Sequence, residues 1–258
     1  KILPQWKLTG SIARSTRAPH VNELLTNGIH HGSGTYEVGN IYLKPEKGWN
    51  LQLNNNFVST NKVLSLDLTL YHNSIQNFIF RKPKPGEPVR TIRGVFPKIV
   101  YEATDAVLQG MDATASIQPV DAIQITSQYA LLRAHNKSKN TWLIGMPSDR
   151  LTNRITYSLK NGKRLTNTYL TAEVQHVGQQ KRVPPDTDEK QDYKAPPAAY
   201  TLFNADAATS FTAGNTLFTL GISGRNLLNT AYREYLNAFR YFTDEMGRNI
   251  TFRLTINL

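Results

Sequence analysis

The sequence predicts an all-β fold, an antiparallel meander of about ten strands that forms part of the wall of a membrane β-barrel. The first observation is the C-terminal segment, where apolar side chains alternate with polar ones: Ile250, Phe252, Leu254, Ile256 and Leu258. Side chains of a strand project to opposite faces with period 2, so this segment has one apolar and one polar face. The same pattern recurs along the chain, and short turns alternate with long polar connections between the repeats.

The first half of the chain contains five predicted strands. They are roughly Gln5–Arg17, Gly48–Val58, Leu64–Phe80, Met111–Ile117 and Ile123–Leu131. In the second of these, the residues between the apolar positions are all amides: Asn50, Gln52, Asn54 and Asn56. Burying unpaired amides in a dry core costs free energy, so this polar face indicates a water-filled lumen.

The second half contains five more predicted strands. They are roughly Leu151–Tyr157, Tyr169–Gln175, Phe203–Phe211, Phe218–Ile222 and Gly247–Leu258. Between the first two, Asn161-Gly162 predicts a two-residue type I′ hairpin turn, because both residues tolerate positive φ. A soluble β-sandwich also has alternating strands, but polar faces rich in Asn, Gln, Asp and Glu on nearly every strand favour the barrel.

Composition narrows the function classes. Mean hydropathy is −0.42 and no run approaches the ~18–20 apolar residues of a spanning helix. The formal net charge of +11 is spread over loops, with no basic helix or aromatic RNA-binding motif, so nucleic acid is not an expected partner. Basic loops instead suit lipopolysaccharide phosphates or an anionic ligand. The N-terminus has no signal-peptide pattern, so we expect a fragment or a mature piece.

Three motifs resemble those of TonB-dependent outer-membrane receptors. Ser15-Thr16-Arg17-Ala18-Pro19 with Asn22-Glu23-Leu24 resembles their Arg-Ala-Pro box. Gly39-Asn40-Ile41-Tyr42-Leu43-Lys44-Pro45-Glu46 resembles their second box, with Ile41 where Pro is usual. The segment 224–232 resembles the Asn-Leu-x-Asn-x-x-Tyr stretch of their penultimate strand.

The resemblance implies a 22-stranded barrel around an N-terminal plug domain, in the outer membrane of a Gram-negative bacterium. Residues 1–258 match the C-terminal part of that transmembrane barrel, without the plug and the N-terminal strands. The implied function is active transport of a scarce nutrient, such as haem, a ferric siderophore or a metal, energised through TonB. A passive porin or a barrel-embedded enzyme is the alternative, although no nucleophile motif is present and we expect no enzyme activity.

The candidate ligand site lies in the long loop between the two boxes. His30 and His31 are predicted metal ligands, because haem receptors of this family carry a ligating or relaying His here, and Tyr36 or Glu37 can complete a site. The plain alternative is a polar loop with two exposed histidines. Arg81 and Lys84 on a neighbouring loop are predicted to attract the carboxylates of haem or a ferric chelate. No intrinsic cofactor is expected; haem, an iron chelate or zinc would be cargo.

Overall fold

Ten long strands form one continuous sheet in a computed structural model that describes residues 4–162, 164–185 and 196–257. These ten are β1 (Trp6–Arg17), β4 (Glu46–Val58), β5 (Leu64–Pro83), β8 (Lys98–Val120), β9 (Ile123–Asn136), β11 (Arg150–Ser158), β12 (Leu165–Val177), β13 (Tyr200–Ala213), β14 (Thr216–Arg225) and β15 (Asn249–Asn257). Each pairs antiparallel with its neighbours in that order. The predicted all-β meander is therefore confirmed, while Leu258 and Lys163 lie outside the described residues.

The long connections at one end of the sheet contain a short helix and several short strands. They are the helix α1 (Val21–Leu25) and the strands β2 (Asn27–His30), β3 (Thr35–Val38), β6 (Val89–Thr91), β7 (Gly94–Phe96) and β10 (Thr141–Trp142). The expectation that all pairing is antiparallel is wrong at one place, because β3 runs parallel to the first residues of β8. Within the described ranges, no helix has the length and apolar character needed to cross a membrane.

The register separates apolar and polar side chains as the alternation predicts, except at Asn55, an amide on the apolar face that accepts a hydrogen bond from Trp6 Nε1. Leu66, Leu68 and Leu70 of β5 pair with Phe57, Asn55 and Leu53 of β4, so these positions share one face. The opposite face carries the amides, which bond to one another: Gln52 Nε2 donates to Asn54 Oδ1 at 2.8 Å, and Thr69 Oγ1 donates to the same oxygen at 2.9 Å. The amide row is thus satisfied within the polar wall of the sheet.

β5 and β8 extend well beyond the Leu66–Leu70 band. The sequence pattern starts the fourth strand near Met111, whereas β8 begins at Lys98. Within β5, a bulge between Ile75 and Phe78 interrupts the alternation, because Asn77 takes a φ of 55°. Asn77 N donates to the Asp105 carboxylate at 3.1 Å, which fixes the bulge.

The tight hairpin predicted at Asn161-Gly162 is wrong. β11 ends at Ser158 and β12 begins at Leu165, so the connection is wider than two residues. The positive φ of 50° occurs instead at Asn167, within a register shift between Thr166 and Tyr169. The bulge accommodates the extra residues, and Gly162 N donates to Leu165 O at 2.8 Å to close the turn.

Two small apolar clusters lie near the end of the sheet that carries the long connections. Ala106, Ala134 and Leu143 pack with Phe78, Leu108 and Met146. Val177, Tyr200 and Leu202 pack with Tyr232. These clusters anchor the loops 137–149 and 226–248, so this end of the sheet has a fixed shape.

Candidate functional site

The two boxes recognised in the sequence meet through one guanidinium. Arg17, at the end of β1, donates to both carboxylate oxygens of Glu46 at 2.7 and 2.8 Å. The same side chain donates to both oxygens of Glu23 on α1 at 3.0 and 3.1 Å. Such paired, charge-assisted hydrogen bonds fix orientation as well as distance. Arg17 therefore locks the start and end of the loop 18–45 together.

A close backbone contact holds the same loop against α1. A Cβ on Gly39 would lie 2.6 Å from the carbonyl carbon and oxygen of Leu24, so only glycine fits here. Gly39 N donates to Thr26 O at 2.7 Å, and Asn40 N donates to Glu23 O at 2.8 Å. The hairpin of β2 and β3 is consequently held in place across the ends of β5 and β8.

Glu37 is the buried centre of the contact between this hairpin and β8. Its carboxylate accepts a hydrogen bond from Arg81 at 2.5 Å and another from the Tyr101 hydroxyl at 2.8 Å. Tyr101 lies outside the membrane-spanning band, where burial, followed by the Glu37 carboxylate, raises its pKa to about 12. Glu37 thus acts as a structural anion, and its oxygens are already engaged by Arg81 and Tyr101.

The other predicted site residues are dispersed around the hairpin. His30 Nδ1 lies 3.0 Å from Ser33 Oγ, and His31 Nε2 lies 3.3 Å from Arg93 Nη1. The Tyr36 hydroxyl donates to Asn27 Oδ1 at 3.0 Å, on the opposite side of β3 from Glu37. Among the residues that the structure describes, no group of three or more His, Cys, Asp or Glu side chains gathers around a metal-sized space.

A cavity of about 420 Å³ lies beside the hairpin, between three connections and the extended strands. Ser33 and Thr35 come from the β2–β3 hairpin, and β5 supplies Phe78, Ile79, Phe80, Arg81 and Pro83. Gly145 belongs to the loop between β10 and β11, and segment 235–241 to the loop between β14 and β15. Four parts of the chain that are distant in sequence therefore share one concave surface, as ligand sites commonly do.

Guanidinium groups and aromatic rings dominate the chemistry of this cavity. The Arg240 guanidinium lies 4.4 Å from the Tyr235 ring centre and 4.6 Å from that of Tyr241. Arg81 also lines the cavity, and its positive charge is balanced by Glu37. Cations stacked on aromatic rings beside apolar side chains suit a flat, anionic ligand. We call this surface the cation–aromatic cavity.

The loop that supplies Tyr235 and Arg240 is anchored at its base. Asn226, with a φ of 48°, donates from Nδ2 to Thr230 O at 2.9 Å and accepts from Thr230 N at 2.8 Å. Farther along, Gly145 N donates to the Tyr235 hydroxyl at 3.4 Å. These contacts give the cavity a preformed wall.

Comparison with known proteins agrees with this architecture. A family model described as TonB dependent receptor-like, beta-barrel, matches residues 1–227. The chain belongs to the TonB-dependent receptor family. The family is one of outer-membrane receptors, so the chain is assigned to the outer membrane, and the family model and the relatives named below describe transport receptors rather than enzymes.

Individual relatives support the same assignment. The iron-regulated outer membrane virulence protein of Vibrio cholerae serotype O1 is 27% identical over 140 residues, which are 53% of this chain and 21% of that protein. The copper transporter OprC matches with a TM-score of 0.73 and 18% identity, covering 96% of this chain and 36% of OprC. A ferric enterobactin receptor mutant of Pseudomonas aeruginosa, solved with enterobactin, matches with a TM-score of 0.66 and 19% identity. This match covers 99% of this chain and 38% of that receptor. At these identities the two structures show the fold alone.

The structure brings one of the two predicted loop cations to the cavity. Arg81 lines the cavity, and its role toward a ligand stays a prediction, whereas Lys84 pairs with Glu102 at 3.3 Å and lies outside the cavity lining. Tyr235, Arg240 and Tyr241 were not among the predicted site residues. The available signal was the density of aromatic and Arg residues between Tyr232 and Phe242, in a connection that has no strand pattern.

Proposed function

We propose that the complete receptor imports a scarce metal chelate, such as haem or a ferric siderophore, and first binds it at the cation–aromatic cavity. The observation that carries this proposal is the convergence of Arg81, Tyr235, Arg240 and Tyr241 on one 420 Å³ space at the loop-bearing end of the sheet. The iron-regulated Vibrio cholerae relative supports an iron-containing cargo. Haem carries two carboxylates on a flat ring, and catecholate iron chelates carry negative charge on aromatic rings, and such a surface attracts both.

Residues 1–258 are proposed to be the C-terminal part of a 22-stranded barrel domain. The chain spans about a fifth of the curated relatives it matches and 36% of OprC, which supports this division. Energy for release would come from the inner-membrane TonB complex, acting on a plug domain inside the barrel. Exposed basic loop residues such as Lys181 are proposed to meet lipopolysaccharide phosphates at the cell surface.

His30 and His31 remain proposed metal ligands. His30 is the last residue of β2 and His31 the first residue of the β2–β3 turn, and Ser33 and Thr35 of the same hairpin line the cavity. A neutral imidazole is a good ligand for iron or zinc. Because Glu37 is engaged by Arg81 and Tyr101, any further ligand would have to come from the cargo or from another part of the receptor.

The test is uptake by the complete receptor in cells starved of iron or zinc. Haem, a ferric siderophore and zinc are supplied separately, with and without TonB. The proposal expects TonB-dependent uptake of at least one of the iron chelates. The double change His30→Ala, His31→Ala should reduce uptake of one cargo while barrel assembly stays normal. Iron chelate uptake that does not require TonB, or no iron chelate uptake at all, contradicts the proposed function.

A further inference from the structure

The apolar face of the sheet changes to a polar surface at one level across four adjacent strands. On the face of Leu66 and Leu68, one row of paired residues is entirely apolar: Leu53, Leu70, Met111 and Leu131. The next row of that face toward the loop-bearing end is polar on three of the strands: Leu51, His72, Gln109 and Arg133. Within this row, Gln109 Nε2 lies 2.9 Å from His72 Nδ1. Hydrocarbon disfavours such polar groups, so the lipid-facing band ends between the two rows.

Two cations and one indole ring lie directly beyond this edge on β1 and β4. Arg14 pairs with Trp49 in the next row of the same face, and its guanidinium carbon lies 5.8 Å from the ring centre. Lys47 lies two residues farther along β4, diagonally opposite Arg14. Trp49 is 53% exposed, and both cations are exposed as well. We call Arg14, Lys47 and Trp49 the girdle patch.

The positive charge of the girdle patch is not neutralised within the part of the chain that the structure describes. No carboxylate there forms an ion pair with Arg14 or Lys47, whereas Arg17, on the other face of β1, holds both Glu23 and Glu46. The two cations of the patch are therefore available to an anion from outside the chain. Such an anion would approach along the lipid-facing side of the sheet, because both cations lie on that face.

The position of the girdle patch at the membrane surface indicates the class of partner that fits it. Long connections mark the extracellular end of an outer-membrane barrel, so the patch lies at the outer surface of the membrane. Indole rings lie preferentially at headgroup level, and cations at that level attract anionic lipids. Directly below the patch, Ile12 and Leu51 continue the apolar face into the band. A phosphorylated lipid presents its phosphate and its hydrocarbon in this same order, whereas a soluble anion has no hydrocarbon to place.

We propose that the girdle patch binds a phosphate of lipid A, the phosphorylated anchor of lipopolysaccharide, while the acyl chains lie against the apolar side chains of β1 and β4. Arg14 donates its planar guanidinium to the phosphate, and Lys47 adds a second positive charge. Trp49 holds Arg14 at headgroup level through the contact between guanidinium and ring. The inference deepens the proposed contact with lipopolysaccharide, because it places a binding site on the outer wall of the barrel in addition to the loops. It does not depend on which cargo is transported.

The experiment measures equilibrium binding of lipid A to the purified complete receptor. The two probes are lipid A with both phosphates and lipid A from which the phosphates have been removed. Arg14→Gln and Lys47→Gln should each weaken binding of the phosphorylated probe about fivefold, and both changes together about thirtyfold. Binding of the dephosphorylated probe should stay unchanged. Lys62→Gln is the matched control, because Lys62 is exposed in the short turn at the opposite end of β4.

Arg14→Lys separates the charge of Arg14 from its structural role. This variant keeps a cation, so it should bind the phosphorylated probe within about twofold of the native receptor. A loss as large as that of Arg14→Gln would show that only the packing of Arg14 matters, and it would overturn the inference. Native binding by the double variant, or equal losses for both probes, would overturn it as well. So would a receptor that forms dimers through this face, if the double variant is monomeric and binds lipid A normally.

Uptake of an iron chelate by the same variants separates this inference from the proposed function. Weaker lipid A binding by the double variant, with uptake at the native rate, is the result we expect. If the native receptor imports no iron chelate, the proposed function fails, and the lipid A measurement still decides the inference. If uptake is normal and lipid A binding does not depend on Arg14 and Lys47, the inference fails and the transport function stands.

Discussion

The membrane band of the sheet and its loop-bearing end are built by different rules. In the band, period-2 alternation places Leu66, Leu68 and Leu70 on one face and Asp67 and Thr69 on the other. At the loop-bearing end, individual contacts define the structure: Arg17 joins two boxes, and Glu37 joins a hairpin to β8. In the band, one apolar residue can replace another on the same face because the repeated pattern is kept. In the loops, a single side chain makes each contact, so few substitutions preserve it.

The largest effect should come from breaking the pattern of the band. Leu68→Arg would place a guanidinium on the apolar face, and at mid-membrane this costs on the order of 2–4 kcal/mol. Asp67→Arg is the matched control, one residue away on the polar face. The free energy of unfolding in lipid should fall for Leu68→Arg and change far less for Asp67→Arg. Equal losses would show that the faces are assigned incorrectly.

An intermediate effect should come from removing the link between the boxes. Arg17→Ala leaves Glu23 and Glu46 facing each other without their shared cation, and lost charge-assisted hydrogen bonds cost about 2 kcal/mol. Hydrogen exchange should speed up in β2, β3 and α1 while β12 to β14 stay protected. Arg14→Ala, on the apolar face of β1 over the Trp49 ring, serves as the control. Unchanged protection of the hairpin would contradict the role given to Arg17.

The smallest effect should come from the Tyr101 hydroxyl. Tyr101→Phe removes one hydrogen bond to Glu37 and keeps the one from Arg81, so the hairpin should loosen by about 1 kcal/mol. The raised pKa of Tyr101 also sets the direction in which stability changes with pH. The tyrosine's contribution is fully present below the ordinary value of 10.0 and is lost as pH rises through about 12. A difference absorbance titration against Tyr101→Phe should show this phenol ionising near 12; ionisation near 10 would contradict its burial.

The contrast also explains what the sequence could predict. Alternation revealed the ten strands and their faces, because each strand carries its own periodic signal. It could not reveal the pairing of β3 with β8 or the bulge at Asn77, which depend on contacts between distant segments. The same limit applied to the site. Arg81 was found next to a basic loop, but Arg240 lies in a segment with no periodic pattern, and only the folded loop brings it to the cavity.

Equilibrium binding to variants of the complete receptor tests whether the iron chelate binds at the cation–aromatic cavity. Arg240→Gln removes the cation held between Tyr235 and Tyr241, and Arg90→Gln is the control on the exposed β6–β7 hairpin. We expect the iron chelate imported by the native receptor to bind about tenfold more weakly to Arg240→Gln, with unchanged barrel assembly and unchanged binding to Arg90→Gln. Native affinity in Arg240→Gln would show that the ligand is captured elsewhere.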